Sequence, residues 1–264
     1  MFISIIAIPI IIFFIIYFII TEIIYFKKIN KNAISKIFVI NLPRRTDKLS
    51  FFSTYYNLNM PFEIFNAIDG NKLNLNKLIK NNIVIDINFN DIKRKSHYEL
   101  SSLGAIGCYL SHYLLWLKIN NINGENFLIF EDDTIFNNIC LNQINYRLKN
   151  LPNDWDIYIL SNHNSCYKKN KTKHNLYKVD RFFLMNAYII NKKAINKIIK
   201  TNTIFPINQQ IDSYLSELAM DYNLNIYVNT NYDYYSQSID LTTDIQLKFE
   251  KDLNFNRCKI YKYS

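Results

Sequence analysis

The chain opens on an almost unbroken apolar run. From Phe2 to Ile20 no charged side chain interrupts a series dominated by Ile, Phe and Tyr, and Glu22 is the first acid, just ahead of IIYFKK (Ile23–Lys28). Crossing the hydrocarbon core of a bilayer takes about 20 such residues. The run is longer than the apolar region of a signal peptide, and no small-residue cleavage site follows it. The pattern predicts one membrane-spanning helix over 1–26, a polar stem over 27–35 and a folded domain over 36–264. Lys27, Lys28, Lys31 and Lys36 crowd the C-terminal flank, which by the positive-inside rule places the domain on the cytoplasmic side. A lysine-rich composition inflates that signal, so the side stays open.

Beyond the stem, short β-branched runs alternate with helical periodicity. KIFVINL (Lys36–Leu42) predicts a strand that runs into the basic turn PRRTDK and a helix, and MPFEIFNAIDG (Met60–Gly70) a second strand closed by an Asp-Gly turn. Residues 71–98 are Asn- and Lys-rich and read as an irregular excursion. Ser101 and Ser102 can cap a helix from about Leu103, along which Ile106, Leu110, Leu114 and Leu117 recur at helical spacing and predict the core face. There follow FLIFEDDTIF (Phe127–Phe136), a helix around Cys140–Lys149, DWDIYIL (Asp154–Leu160), RFFLMNAYII (Arg181–Ile190) with an amphipathic helix behind it, a helix that Asp212 opens as its capping carboxylate, and LNIYVN (Leu224–Asn229). Strands alternating with helices, without an internal repeat, predict an α/β layered fold around a mostly parallel sheet. Ligands of such sheets sit beyond the carboxyl ends of the strands, which is where Glu131, Asp132 and Asp133 fall.

Composition changes this picture little. The formal charge is +9, but the lysines are scattered through Asn-rich loops instead of gathering on one element with interleaved aromatics, so nucleic-acid binding ranks last. Phosphate-bearing small molecules or an anionic membrane suit the charge equally well. Cys108, Cys140, Cys166 and Cys258 show no CxxC spacing, and no zinc site or redox pair is read from them.

The acidic triplet carries the chemistry. On an extended chain Glu131 and Asp133 point to the same side, and two convergent carboxylates at a sheet mouth suit Mg²⁺ or Mn²⁺ when a diphosphate supplies further oxygens. An ion pair with Arg or Lys, or a solvated loop tip, are the alternatives that spacing leaves standing. No P-loop, GxGxxG or GxSxG occurs in the chain.

Taken together and in order, several segments resemble glycosyltransferase family 25. They are VINLPRRTDKL (Val39–Leu49), FNAIDG (Phe65–Gly70), SSLGAIGCYLSHYLLW (Ser101–Trp116), FLIFEDDTIF, WDIYIL (Trp155–Leu160), NAYIINKKAINKII (Asn186–Ile199), NQQIDSYLSE (Asn208–Glu217) and SQSIDLTTDI (Ser236–Ile245). The resemblance implies a GT-A-like, nucleotide-sugar-binding transferase. Its donor would be a UDP-sugar, first of all UDP-galactose, transferred with inversion to a hydroxyl of a glycan, lipid or protein. It implies Mn²⁺ or Mg²⁺ held by Asp133 with Glu131, and Asp132 orienting a neighbour. Arg44, Arg45 and Asp47 would meet the nucleotide, Gly104 and Gly107 would let backbone approach closely, His112 would face the donor, and Asp244 would close over the site. Asp212 is the candidate general base, with a plain N-cap as the competing role. Two departures stand out. Ala105 replaces the Glu of the family's Gly-Glu-x-Gly-Cys, and Asn186 and Lys193 stand near positions usually held by Gly. The first motivates a second reading, a catalytically silent protein that keeps the fold for binding or scaffolding.

Overall fold

The computed structural model of the chain describes residues 12–22, 33–89, 99–136, 140–161, 166–171, 176–229, 235–237 and 244. The chain divides at Ala33 into an N-terminal unit and a unit that begins at Ile34. In the first, residues 12–22 are helical (α1), and the rest of the predicted anchor lies outside the described residues. Among the described residues no helix is long and apolar enough to cross a membrane.

Among the described residues the second unit is built on a sheet of eight strands: β1 (Ile34–Asn41), β2 (Phe62–Asn66), β3 (Asn126–Glu131), β5 (Ile157–Ile159), β6 (Cys166–Lys171), β7 (Leu176–Arg181), β8 (Ala187–Asn191) and β9 (Ile226–Asn229), in the order β2-β1-β3-β8-β5-β9-β7-β6. A separate two-stranded pair joins β4 (Thr134–Phe136) to β10 (Tyr235–Gln237). The helices are α2 (Thr46–Tyr55), α3 (Leu75–Lys80), α4 (Leu103–Asn120), α5 (Leu141–Asn150), α6 (Lys192–Lys200) and α7 (Ile211–Asp221).

Burial on two faces explains the layering. Along β1, Phe38 and Ile40 join one apolar cluster while Ile37 and Val39 join another; along β3, Phe127 and Ile129 part from Leu128 and Phe130 in the same way. Alternate side chains of a strand point to opposite faces, so each face receives its own helices. The first cluster takes Ile106, Tyr109 and Trp116 of α4, Ile195 and Ile198 of α6 and Leu215 and Leu218 of α7. The second takes Phe52 of α2 and Ile144 and Leu148 of α5. Each fully buried large apolar side chain in these clusters contributes about 1.5–3 kcal/mol by transfer from water.

The sheet is mixed, and this corrects the mostly parallel sheet expected from the alternation of elements. β1 pairs in parallel with β2 and β3, and β5 with β9, but β8 lies antiparallel between β3 and β5, and β7 runs antiparallel to β9 and β6. All residues of β8 are buried, so its sequence shows the continuous apolar run of any two-sided strand and carries no mark of direction. RFFLMNAYII also proves to be two elements. β7 ends at Arg181, and the intervening Phe182–Asn186 turns through Leu184 at φ 74° before β8 begins. Because β8 is antiparallel, it begins where β3 ends: Glu131 N–H donates to Asn186 O at 2.8 Å.

Two helix readings also change. Ser102 caps α4 as expected, its Oγ accepting from Ala105 N–H at 3.1 Å. The core face, however, is Ala105, Tyr109, His112, Trp116 and Ile119 with Ile106 and Leu115, while Leu114 is exposed and Leu110 and Leu117 are half-buried. The helix is apolar nearly all round, so spacing alone admits several faces. Asp212 is not a cap: Gln210 takes that position in α7, and the Asp212 carboxylate instead accepts from Ser213 N–H at 2.8 Å and Leu184 N–H at 3.4 Å.

Candidate active site

Four chain segments converge at the carboxyl ends of β1, β2 and β3. After Asn41 the chain turns, with Arg45 N–H donating to Leu42 O at 2.7 Å, and enters α2. After Asn66 it turns through Ala67–Gly70, against the first half of α4. That contact is backbone to backbone. A Cβ on Gly107 would stand 2.5 Å from Ile68 O, and one on Gly70 would stand 2.4 Å from Leu103 O. Both glycines are there because nothing larger fits. Ser111 pins the same contact, its Oγ accepting from Ile68 N–H at 2.8 Å and donating to Gly107 O at 2.6 Å. Between these segments lies a pocket whose wall includes Arg44, Lys48, Asp69, Gly104, Cys108, Ser111, His112, Glu131, Asp132, Asp133 and Asp244.

The acidic triplet does not behave as one extended strand. β3 stops at Glu131, and Asp132 and Asp133 form the turn into β4, so the alternation that put Glu131 and Asp133 together no longer applies. Glu131 faces α4, its Oε1 at 3.2 Å from His112 Nε2 and 3.9 Å from Cys108 Sγ. Asp132 accepts from Asn41 Nδ2 at 2.7 Å and lies 3.6 Å from Lys48 Nζ, and Asp133 Oδ2 lies 3.4 Å from the same ammonium. It is the adjacent pair, Asp132 and Asp133, that converges on a cation.

Lys48 is the residue the sequence reading passed over. It is 5% exposed and has a third carboxylate, Asp244, at 3.7 Å. Burial alone would lower its pKa, but Asp133, Asp132 and Asp244 outweigh that and hold the ammonium above its ordinary value. Burial pushes the Asp132 carboxyl up to about 6, against the pull of Lys48. Lys48 lies in the first turn of α2, and nothing in its sequence context marks it among the other basic residues. Asp69, read as a turn residue, binds Arg44 Nε at 2.8 Å.

The remaining basic residues form a wall of paired charges. Arg44 also reaches Asp244 at 2.7 Å, and Arg45 binds Asp244 and holds Asp47 with two parallel contacts of 2.9 and 2.7 Å. The Arg45 guanidinium keeps the Asp47 carboxyl down at about 2. Arg44 and Asp244 line the pocket; Arg45, Asp47 and Gly107 stand outside its lining and hold in place the residues that do line it.

His112 is fully buried and tied at both nitrogens. Its Nδ1 is 2.9 Å from the Tyr188 hydroxyl, which also accepts from Trp116 Nε1 at 3.0 Å. A tryptophan N–H can only donate, so the tyrosine proton is left to point at Nδ1, and Nε2–H then points at Glu131. Asp212 does not line the pocket. Burial pushes its carboxyl up to about 6, with Glu131 adding to the rise.

Comparison with known proteins places this arrangement. A family model described as Glycosyltransferase family 25 (LPS biosynthesis protein) matches residues 34–215, which take in all the pocket residues named above except Asp244. A glycosyltransferase 25 family member of Aedes aegypti is 34% identical over 108 residues, 40% of this chain and 17% of that protein. Procollagen galactosyltransferase 1 of Danio rerio is 26% identical over 186 residues, covering 67% of this chain and 30% of the relative. Procollagen galactosyltransferase 2 of Homo sapiens is 27% identical over 183 residues, 66% of this chain and 28% of its own length. The chain belongs to glycosyltransferase family 25. Its matches span less than a third of the length of these curated relatives.

Proposed function

We propose that this chain transfers a hexose from a UDP-sugar, first of all UDP-galactose, to a hydroxyl acceptor, with inversion at the anomeric carbon. The names of the relatives support galactose. The observation that carries the reading is a pocket with two chemically distinct sides. On one side Lys48 is fixed next to Asp132 and Asp133, and Arg44 is held by Asp69 and Asp244; on the other Glu131 stands against His112.

The charged side suits the donor. Transfer builds negative charge on the departing diphosphate, and fixed cations in a partly desolvated site stabilise that charge more than water does. Lys48 and Arg44 supply them. Asp132 and Asp133 already gather around one positive charge, so their oxygens also fit a hard divalent cation, and Mn²⁺ or Mg²⁺ bound there would act as a Lewis acid on the diphosphate. Asp69 and Asp244 hold Arg44 in place.

The other side suits the acceptor. A general base must reach the hydroxyl it deprotonates. Glu131 lines the pocket and has its carboxylate oriented by His112, which Tyr188 and Trp116 orient in turn. Asp212, the sequence's candidate, is committed to two backbone N–H groups away from the pocket lining, and we assign it to bracing Leu184 ahead of β8. Ala105 is buried in the apolar cluster and does not line the pocket, so its departure from the family lies behind the reacting groups. The hydrophobic segment 1–26 would anchor the enzyme to a membrane.

A panel of UDP-sugars, each with and without Mn²⁺ and chelator, tests this. Sugar-dependent UDP release with one donor, reduced by chelator, is expected. Absence of both UDP release and donor binding with every sugar would overturn it.

A further inference from the structure

One cluster on the pocket floor offers more than donor binding requires. Cys108 and His112 lie one turn apart on the same face of α4, and Glu131 meets them from the end of β3. One atom of each, Sγ, Nε2 and a carboxylate oxygen, lie within 4.8 Å of one another. Thiolate, imidazole and carboxylate together form the ligand set of a borderline-soft cation, and hard Mg²⁺ or Mn²⁺ rarely recruits a thiolate.

We propose that Cys108, His112 and Glu131 form a seat for Zn²⁺, separate from the cation position at Asp132 and Asp133.

The geometry is close to what the ion needs. Bonds of about 2.0–2.3 Å in a tetrahedron set ligand atoms about 3.3–3.6 Å apart. Glu131 Oε1 is already 3.2 Å from His112 Nε2 and 3.9 Å from Cys108 Sγ. The Cys108–Glu131 pair needs to close by about 0.3 Å and the Cys108–His112 pair by no more than about 1.3 Å from the 4.8 Å limit, both met by a shift of the Cys108 side chain. Support behind the ligands is built in. In the metal-free site the Tyr188 hydroxyl points its proton at His112 Nδ1; on metal binding Nε2 would give up its proton, Nδ1 would take one, and the hydroxyl would turn to accept from Nδ1–H alongside Trp116. Gly107 and Ser111 fix α4 against the turn at Ile68. All three ligands line the pocket, so the fourth position of the ion faces ligand and solvent, the pattern of an open zinc site. On binding, the Cys108 proton leaves to solvent and the thiolate sulfur bonds the metal.

A cation in this seat takes Glu131 away from the acceptor, making zinc an inhibitor of transfer. That consequence rests on Glu131 being the acceptor-side base; the binding itself does not.

The test therefore reads binding alone. The full chain carrying Cys140→Ser, Cys166→Ser and Cys258→Ser keeps Cys108 as its sole thiol. Titration with Co²⁺ is expected to give a one-to-one thiolate-to-cobalt charge-transfer band that Zn²⁺ abolishes. Adding Cys108→Ser should remove the band, and Glu131→Gln should weaken Zn²⁺ binding at least about tenfold, with near-ultraviolet circular dichroism showing each variant folded. If Cys108→Ser does not fold, His112→Ala replaces it, with tetrahedral cobalt absorption expected to disappear. No thiolate band in the parent, or the same band in a folded Cys108→Ser protein, overturns the seat and leaves an ordinary hydrogen-bonded cluster. Neither result depends on whether any UDP-sugar binds.

Discussion

Lys48 carries one positive charge into the company of three carboxylates, at 3.4–3.7 Å, with almost no water to share it. Removing one partner of such a buried arrangement leaves charge uncompensated and costs about 3–5 kcal/mol. Lys48→Met should lower stability by that order at pH 8, measured by urea denaturation. The loss should shrink near pH 5, because Asp132, with its pKa near 6, protonates and no longer needs the ammonium. An equal loss at both pH values would refute the pairing. Asp212 gives a second pH signature. Its pKa rises from 3.8 unfolded to about 6 folded, so between those values the folded chain holds more protons than the unfolded one, and stability falls as pH rises through the window. Above it the penalty is complete, about 3 kcal/mol. Relative to wild type, Asp212→Asn should therefore gain about 2–3 kcal/mol between pH 4 and pH 8, and a flat difference would place the carboxylate in water. Residue identity made the acids visible in the sequence because three carboxylates in an apolar strand are anomalous. It did not reveal Lys48, since one lysine among 31 basic residues stands out only once its surroundings are known.

At the scale of elements, the ends of β1 and β2 and the start of α4 were legible because each couples a strong period to a cap or turn: the basic turn after Asn41, Asp69-Gly70 after β2, and Ser102 ahead of Leu103. Three things were not legible for a physical reason. The direction of β8 is hidden because a strand buried on both faces reads the same either way. The core face of α4 is ambiguous because apolar residues surround the helix. The hairpin of β6 and β7 is missed because Cys166–Lys171 and Leu176–Arg181 are rich in lysine and lack clean alternation. The tightest constraint between elements is the contact of α4 with the turn at Ile68–Gly70. Gly107→Ala places a methyl 2.5 Å from a carbonyl oxygen, which overpacks against backbone that cannot rotate away. It should cost about 1–3 kcal/mol in a thermal or urea melt and weaken UDP binding by displacing Asp69. Wild-type stability in that variant would mean the helix does not dock this closely.

At the scale of the whole molecule, the chain separates into a hydrophobic N-terminal unit and a unit beginning at Ile34 that contains the pocket. The full chain should float with lipid vesicles, while a chain beginning at Ile34 should stay in the soluble fraction and keep its fold by circular dichroism; flotation of both would locate the membrane contact elsewhere. Within the second unit, β10 pairs with β4 just past the acidic turn, and Asp244 closes onto Arg44 across 200 positions of sequence. That separation has a consequence for how the protein is made. Chains emerge at about 5–20 residues per second, so Arg44, Arg45 and Lys48 are synthesised about 10–40 s before the carboxylate that completes their pairing. Through that interval the nascent chain presents three cations awaiting their last partner. The pocket reaches its final charge balance only once Asp244 has been synthesised, so its assembly follows the emergence of every strand of the sheet beneath it.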